Sequence, residues 1–381
     1  MSNLDAAIPS PAPTPKGKRV NRLGYIDTIR GLAALVVIYF HMARYFVENG
    51  LSTVGIEHAA FIAGAYMIDF GKAGVALFFI VSGFVVPFSL LRGKRYPVRD
   101  FCISRFFRLY PAYWLSIPFG IYFFFVVPGA PFGLVQLLAN LTMLQQFVGQ
   151  PNAIGVYWTL QIELVFYALC VALYRLGKLR DVRFLFVTAV TMMAIGLGAA
   201  VLRGLTGKGL PIALLLALTL MLFGMLWRFW LVEGDEASRR HAKWLAVLFI
   251  IAVPVISYLG YGVEGAWYRY TASYYVALAV FLLMTTRWRV SGAVFQYLGR
   301  VSYSVYLFAP VVQDVVVRAL PPAAHRAISP HLYVVAIMLA SVAVASICYV
   351  LIEKPAIALG KRLSARLDHG ERFRSPSSEV I

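Results

Sequence analysis

The sequence contains few charged residues, few cysteines and no repeat. Only 14% of its 381 residues are Asp, Glu, Lys or Arg, against about a quarter in a typical soluble domain. The three cysteines, Cys102, Cys170 and Cys348, lie far apart without a C-x-x-C spacing, which argues against a disulfide framework and against a zinc site. Disorder, collagen and coiled coil are excluded because the matching compositional bias or repeat is absent.

Long apolar segments dominate the chain instead. Apolar and aromatic residues make up 60% of the sequence, and ten stretches approach the roughly 20 residues that a bilayer core requires. We therefore predict an all-α fold, a polytopic membrane helical bundle of about ten transmembrane helices. The predicted spans are 26–46, 72–91, 110–128, 156–175, 184–202, 210–230, 244–261, 268–286, 297–317 and 332–352.

Basic residues are distributed unevenly between the loops. The chain has 35 Lys and Arg against 17 Asp and Glu, a net charge of +18. With the N-terminus inside, 26 of the 35 basic residues fall in inner segments and 6 in outer ones. This asymmetry follows the positive-inside rule and predicts that both termini are cytoplasmic. It also explains the net charge without a nucleic-acid partner, because basic inner loops face anionic lipid.

The two ends of the chain are polar and basic. Residues 1–22 are rich in proline and end in Lys16, Lys18, Arg19 and Arg22, a composition that predicts a disordered tail. The first apolar run is long enough to span, so we expect no cleavable signal peptide. We assign residues 23–355 to one membrane domain. Residues 356–381 then form a basic cytoplasmic tail, which we expect to be disordered.

One connection is unusual for its lack of charge. Residues 129–155 contain no charged side chain, but Gln136, Asn140, Gln145, Gln146 and Asn152 are spread among leucines. We expect an interfacial or re-entrant helix on the outer side. A lining for a polar, uncharged ligand such as a sugar is the alternative, and the periodicity does not decide between them.

The first span carries three ionisable groups where lipid is expected. Insertion of a charge at the bilayer centre costs about 2.5–3.5 kcal/mol, so such groups are functional candidates. Asp27, Arg30 and His41 fall on one helical face, with Arg30 and His41 separated by roughly 16 Å along the axis. A neutral histidine there is suited to general-base catalysis. The structural alternative is that Asp27 and Arg30 extend to the inner interface and His41 bonds a neighbouring helix.

Glu163 is the carboxylate of the fourth span. It lies about a turn and a half from the predicted outer end, which places it at a depth comparable to that of His41. A carboxylate partner there would orient the imidazole and stabilise its protonated form. A structural ion pair of Glu163 with Arg30 or Arg44 is equally compatible with the sequence.

Two arginines mark the cytoplasmic boundary of the third span. Arg105 and Arg108 are three residues apart and project from one helical face, and two adjacent guanidinium forks match phosphate geometry. Taken alone, however, the pair is a weak signal, and membrane anchoring under the positive-inside rule explains it better. In the second span, Ser82 and Gly83 are small residues that permit close helix approach.

Taken in order, these segments resemble the acyltransferase-3 family of bacterial integral membrane acyltransferases. The resemblance covers residues 25–355, and the ten-span architecture agrees with that of the family. The motifs that carry it are Asp27-x-x-Arg30-Gly31 followed by His41, Gly74-x-x-x-Phe78-Phe79-x-x-Ser82-Gly83-Phe84, Arg105-Phe-Phe-Arg108-Leu-Tyr-Pro111, Trp158-x-Leu-x-x-Glu163-x-x-x-Tyr167, Leu298-Gly-Arg-Val-Ser-Tyr303-Ser-Val-Tyr-Leu307 and Ile352-Glu-Lys-Pro355.

The resemblance implies transfer of an acyl group, usually acetyl, from acyl-CoA to a hydroxyl. It implies acceptors such as surface polysaccharides, lipopolysaccharides or lipid-linked sugars, and a multi-pass protein of the bacterial plasma (inner) membrane. Acyl-CoA is then a co-substrate, and neither a permanently bound cofactor nor a metal is expected. By this analogy His41 is the catalytic histidine, with Arg30 and Glu163 as catalytic partners, while Arg105 and Arg108 bind the CoA phosphates. The supporting motif residues are Asp27, Ser82, Trp158 and Tyr303.

Two positions depart from the family pattern. Ala76 stands where the family commonly has Asp, and Phe308-Ala309-Pro310 stands where it often has His. A non-catalytic member of the family is therefore one alternative. A transporter or flippase is another, because ten spans with a few buried charges also suit a carrier, although no inverted repeat of hydropathy is visible.

Overall fold

The computed structural model describes residues 23–52, 55–91, 95–262, 265–319 and 329–372, and it contains no β-strand within them. The predicted all-α class is confirmed. The predicted disorder of residues 1–22 lies outside the described residues. The α-helices are α1 (Gly24–Glu48), α2 (Gly55–Ile62), α3 (Phe70–Val85), α4 (Pro97–Ile121), α5 (Leu134–Leu141), α6 (Trp158–Arg175), α7 (Val182–Thr206), α8 (Ile212–Glu233), α9 (Glu236–Tyr261), α10 (Trp267–Thr286), α11 (Ala293–Ala319), α12 (Pro330–Cys348) and α13 (Lys354–Arg372).

All ten predicted spans coincide with helices, and eight of the described segments are long and apolar enough to cross a membrane. These eight are Gly24–Glu48, Phe70–Ser89, Pro97–Val126, Gly155–Arg175, Val182–Thr206, Ile212–Glu233, Glu236–Tyr261 and Pro330–Asp368. The other two predicted spans, α10 and α11, have 20 and 27 residues. Tyrosines in α10 and polar side chains in α11 make them less apolar, so the count of ten stays a prediction.

Helix α1 lies at the centre of the bundle, where it packs against α3 on one side and α11 on the other. The approach to α11 is very close, because a Cβ on Gly299 would lie 2.0 Å from the carbonyl oxygen of Asp27. The predicted close approach at Gly83 is confirmed between α3 and α8, where a Cβ would lie 1.8 Å from the Met221 carbonyl oxygen. Only glycine fits at either crossing, and these two contacts bring α1, α3, α8 and α11 together.

The uncharged connection 129–155 contains the short helix α5 and is held by hydrogen bonds from its own Asn and Gln side chains. Leu134 and Val135 are exposed, as expected of an interfacial helix. The buried Asn140 donates to the Pro151 carbonyl at 3.0 Å and accepts from the Ala153 N–H at 2.9 Å, while Gln145 Nε2 donates to Asn152 Oδ1 at 2.6 Å. These amides hold the segment together and line none of the cavities described below.

The C-terminal segment is more ordered than the sequence suggested. A π-helical segment, Tyr349–Glu353, joins α12 directly to α13, which continues to Arg372. The expectation that the tail after Pro355 is disordered is therefore wrong for residues 356–372. The helix is retained because it packs on α4, with Gly360 against the Phe107 ring and an ion pair between Asp368 and Arg99.

Candidate active site

Three cavities follow one another along α1. The inner cavity lies toward the helix ends that carry most Lys and Arg, the outer cavity toward the opposite side, and the middle cavity between them. They hold about 1270, 1120 and 500 Å³ respectively, open mouths included. Arg30, Ser82 and Glu163 line both the inner and the middle cavity, and Val75 and Tyr306 line both the middle and the outer cavity. The shared walls show that the middle cavity lies next to each of the other two.

The polar face of α1 opens into this series. Asp27 and Arg30 line the inner cavity, and His41 lines the outer one. Arg30 makes no hydrogen bond or ion pair with any residue that the structure describes; instead it interacts electrostatically with the negative charges of Asp27, Glu163 and Glu353. Its guanidinium donors therefore face the cavity, where a ligand can accept from them.

His41 is accessible from the outer cavity. Its side chain is exposed there and has the Phe40 ring in edge contact, with ring centroids 5.2 Å apart. Among the described residues, none hydrogen-bonds its ring nitrogens, so the bond to a neighbouring helix that the structural alternative requires is not formed. An imidazole in this position is able to take a proton from a hydroxyl group bound in the outer cavity.

Glu163 does not lie beside His41. It lines the inner and middle cavities with Arg30, and its carboxylate accepts a hydrogen bond of 2.6 Å from the Tyr167 hydroxyl. The expectation that Glu163 lies at the depth of His41 is wrong. The reason is that α6 begins at Trp158, which itself lines the outer cavity with His41. Glu163 lies five residues further along the helix, roughly 7.5 Å deeper.

Arg105 and Arg108 both line the inner cavity, as the phosphate-binding interpretation requires, and two further arginines join them. Arg228 of α8 and Arg300 of α11 complete the wall, so with Arg30 five guanidinium groups from four helices surround one space. The acidic groups in the same wall are Asp27 and Glu163. The excess of positive charge suits an anionic ligand.

The sequence missed Arg228 and Arg300 as site residues. Arg300 was visible as an unexplained charge within a span, while Arg228 was counted with an inner loop. Arg228 donates to the Phe84 carbonyl at 3.0 Å and lies 4.0 Å from the Phe88 ring centroid. The Arg300 guanidinium lies 5.5 Å from the Tyr297 ring centroid and makes no hydrogen bond or ion pair with any described residue.

The supporting residues predicted from the motifs are distributed along the series. Ser82 lines the junction of the inner and middle cavities. Tyr303 lines the middle cavity while its buried hydroxyl donates to the Leu109 carbonyl at 2.8 Å, which ties α11 to α4. Trp158 lines the outer cavity and meets Phe79 edge to face.

Asp69 and Lys72 line the outer cavity with His41, and the sequence did not single them out. Asp69 caps α3 by accepting from the Lys72 N–H at 2.7 Å. Burial raises the pKa of the Asp69 carboxyl above its usual value. The Lys72 ammonium lies 3.2 Å from the centroid of the Tyr270 ring. An N-cap signal, Asp before an apolar helical run, was the available clue.

The two departures from the family pattern have different settings. Ala76 is buried in the core of α3 and lines none of the three cavities. Ala309 is buried in a hydrophobic cluster with residues of α1 and α12, among them Phe46 and Ile337. Its neighbour Pro310 lines the outer cavity. The apolar side chain of Pro310 therefore lies in the wall of the outer cavity, close to the position at which the family often has histidine.

Comparison with known proteins identifies the family to which the chain belongs. The acyltransferase-domain family Acyl_transf_3 matches residues 23–350. An acyltransferase of Streptomyces mycarofaciens, MdmB, is 30% identical over 194 residues, 48% of this chain and 46% of that protein. Nodulation protein 10 of Rhizobium leguminosarum bv. viciae is 29% identical over 126 residues, 27% of this chain and 34% of that protein.

The chain thus matches less than half the length of either relative, and no solved structure matches it. The family match, by contrast, extends over nearly the whole helical bundle, with its eight segments able to cross a membrane. The chain is a multi-pass membrane protein and belongs to the acyltransferase-3 family of membrane acyltransferases.

Proposed function

We propose that the protein transfers an acyl group, acetyl in the simplest case, from acyl-CoA to a hydroxyl of a surface or exported glycan. The observation that carries the proposal is that Arg30 and His41, on one face of α1, line two cavities and that a third cavity shares its walls with both. The family membership supports the reaction type, and the two cavities differ in a way that suits two different substrates.

The inner cavity suits the donor. Acyl-CoA carries a diphosphate and a ribose 3′-phosphate, and guanidinium groups bind phosphates through paired charge-assisted hydrogen bonds. Arg30, Arg105, Arg108, Arg228 and Arg300 offer such groups on the side where CoA is available. The pantetheine arm then extends through the small middle cavity. An extended arm is comparable in length to the roughly 16 Å rise between Arg30 and His41.

The outer cavity suits the acceptor. His41 supplies a base, Asp69 and Gln313 supply polar groups, and Trp158 and Tyr306 supply aromatic surfaces on which a sugar ring can pack. A thioester is already activated, so the protein has to position donor and acceptor and remove one proton. His41 takes that proton from the attacking hydroxyl, the new ester C–O bond forms, and the thiolate of CoA leaves. Proton transfer of this kind is typically worth about 10²–10⁴ in rate.

The location follows from the same reasoning. Membership of a family of bacterial membrane acyltransferases, with a donor supplied from the cytoplasm, supports a location in the plasma (inner) membrane of a bacterium. The modified species is then a glycan destined for the cell surface, such as a polysaccharide or lipopolysaccharide. A carrier that moves a glycan without acylating it is the competing function, and the experiment below separates the two.

The test is mass spectrometry of envelope and secreted glycans from strains that express the wild type, His41→Ala, His241→Ala or no protein. His241 is the matched control, because it lies on the inner side of α9 and its Nδ1 is bonded to the Ala237 carbonyl oxygen. An acyl mass shift is expected with the wild type and His241→Ala only. A shift that survives His41→Ala refutes the role of His41. Glycan export without any acyl shift refutes the enzyme and supports the carrier.

A further inference from the structure

Glu353 is a buried carboxylate that the proposed reaction leaves unused. It is the last residue of the π-helical segment between α12 and α13, and its side chain has no exposed surface. Oε2 accepts a hydrogen bond of 3.0 Å from the Ser304 hydroxyl of α11. Oε1 lies 3.5 Å from Nη1 of Arg108 on α4. Glu353 lines none of the three cavities and belongs to the Ile352-Glu-Lys-Pro355 motif.

The charges around Glu353 explain why a carboxylate is tolerated there. A buried ion without a partner is costly, and Glu353 interacts with the positive charges of both Arg108 and Arg30. Those two arginines also repel each other. The negative charge of Glu353, behind the cavity wall, therefore offsets the repulsion between Arg30 and Arg108, which both line the inner cavity.

We propose that Glu353 is a positioning residue that orients the Arg108 guanidinium toward the phosphates of the acyl donor. The inference rests on the proposed function. Arginine has five N–H donors in a planar fork, and Glu353 contacts only the Nη1 end. The Arg108 side chain remains 26% exposed, toward the inner cavity that it lines. A guanidinium held at one end presents its other donors in a fixed direction.

The surrounding structure keeps the carboxylate in place. A hydrogen bond from Ser304 fixes Oε2, and Oε1 lies at ion-pair distance from Arg108 without a hydrogen bond. The π-helical segment continues into α13, which packs along α4, the helix that carries Arg108. Single π-helical turns occur frequently at functional sites. Tyr349, at the start of this turn, lines the inner cavity itself. The segment therefore connects the cavity wall to the C-terminal helix.

The test measures CoA affinity and donor kinetics of the purified full-length protein in nanodiscs. Glu353→Asp keeps the charge but withdraws the carboxylate by one methylene group. Any change in the Kd for CoA or the KM for acetyl-CoA therefore reports the position of the carboxylate and not its charge. We expect the Kd for CoA and the KM for acetyl-CoA to rise about tenfold, with kcat within twofold, as when a partner that orients a binding group is lost. The KM for acetyl-pantetheine, which has no phosphate, stays unchanged. Ser304→Ala, which retains both charges, shows the same pattern at about threefold.

The control is Asp368→Asn, which removes the Arg99–Asp368 pair at the same contact between α4 and α13 without touching the cavity. It should leave both donor constants unchanged. In an Arg108→Ala background, Glu353→Asp should have no further effect on the Kd for CoA. If Glu353→Asp lowers thermal stability but leaves both constants at wild-type values, the residue is structural only. If the wild type itself does not bind CoA, the proposed function fails instead.

Discussion

Arg300 offers a sharp test of donor recognition, because no hydrogen bond or ion pair to another described residue competes for its guanidinium. The perturbation is Arg300→Ala. The side chain lines the inner cavity with four other arginines, and its guanidinium lies 5.5 Å from the Tyr297 ring centroid. Its removal therefore leaves no protein acceptor unpaired among the described residues, and the effect should fall on the bound donor.

The size of the effect follows from the interaction that is lost. Hydrogen bonds to charged groups contribute about 1.5–3 kcal/mol, and a central value of about 2 kcal/mol corresponds to roughly 30-fold in affinity. Two unit charges ~6 Å apart at an effective dielectric constant of 20 interact by about 3 kcal/mol. The two estimates span about 2–3 kcal/mol, so we expect the KM for acetyl-CoA to rise by roughly 30- to 160-fold with kcat little changed.

The assay is the initial rate of acyl transfer against acetyl-CoA concentration, using membranes from the strain that contains the acceptor glycan. Arg318→Ala is the matched control, because Arg318 lies on the same helix but pairs with Asp314 at the opposite end. Arg300→Lys keeps the charge without the fork and should fall between wild type and alanine. A KM for Arg300→Ala within twofold of the wild type would refute phosphate binding by this wall of the inner cavity.

Three further predictions concern the framework of the site, each checked by thermal unfolding in detergent. Gly299→Ala brings a Cβ to 2.0 Å from the Asp27 carbonyl oxygen and should destabilise the protein by about 3 kcal/mol or more, whereas Gly198→Ala meets nothing within 4 Å and should be neutral. Asp69→Ala removes the cap of α3 and should cost about 1 kcal/mol, whereas Asp69→Asn, also a good cap, should cost little. Asn140→Ala leaves the buried Ala153 N–H unpaired and should cost about 1–3 kcal/mol. These contacts would be contradicted if Gly299→Ala unfolded at the same temperature as Gly198→Ala, if Asp69→Ala unfolded at the same temperature as Asp69→Asn, or if Asn140→Ala unfolded at the same temperature as the wild type.

Hydropathy identified the membrane-spanning helices because each span needs a run of about 20 mostly apolar residues to cross the bilayer core. It failed at α13, whose basic, small and apolar residues are mixed and resemble a solvated tail. That helix is held by packing on α4, through Gly360 against Phe107 and Asp368 beside Arg99. Such contacts join residues about 250 positions apart, and no local pattern reports them. The π-helical turn at Tyr349–Glu353 was invisible for the same reason.

The site was predictable along a helix but not between helices. The spacing of Asp27, Arg30 and His41 fixed their common face, and the structure places all three on cavity walls. Glu163 was misplaced because counting from the outer end assumes that all spans begin at one level. Helix α6 begins at the level of His41, behind the folded connection 129–155, so residues the same distance from their helix ends lie at different depths.

This displacement changes the chemistry expected of His41. With Glu163 grouped with Arg30, the carboxylate that shares the outer cavity with His41 is Asp69. Burial raises the pKa of the Asp69 carboxyl above its usual value, and among the described residues no hydrogen bond or ion pair joins this carboxyl to His41. Under the proposed function, His41 therefore acts as a general base without a charged triad: it takes the proton of the acceptor hydroxyl as that hydroxyl attacks the thioester. In the same proposal, the arginines of the inner cavity hold the acyl donor in line with α1, which would reduce the entropy cost of bringing thioester and hydroxyl together.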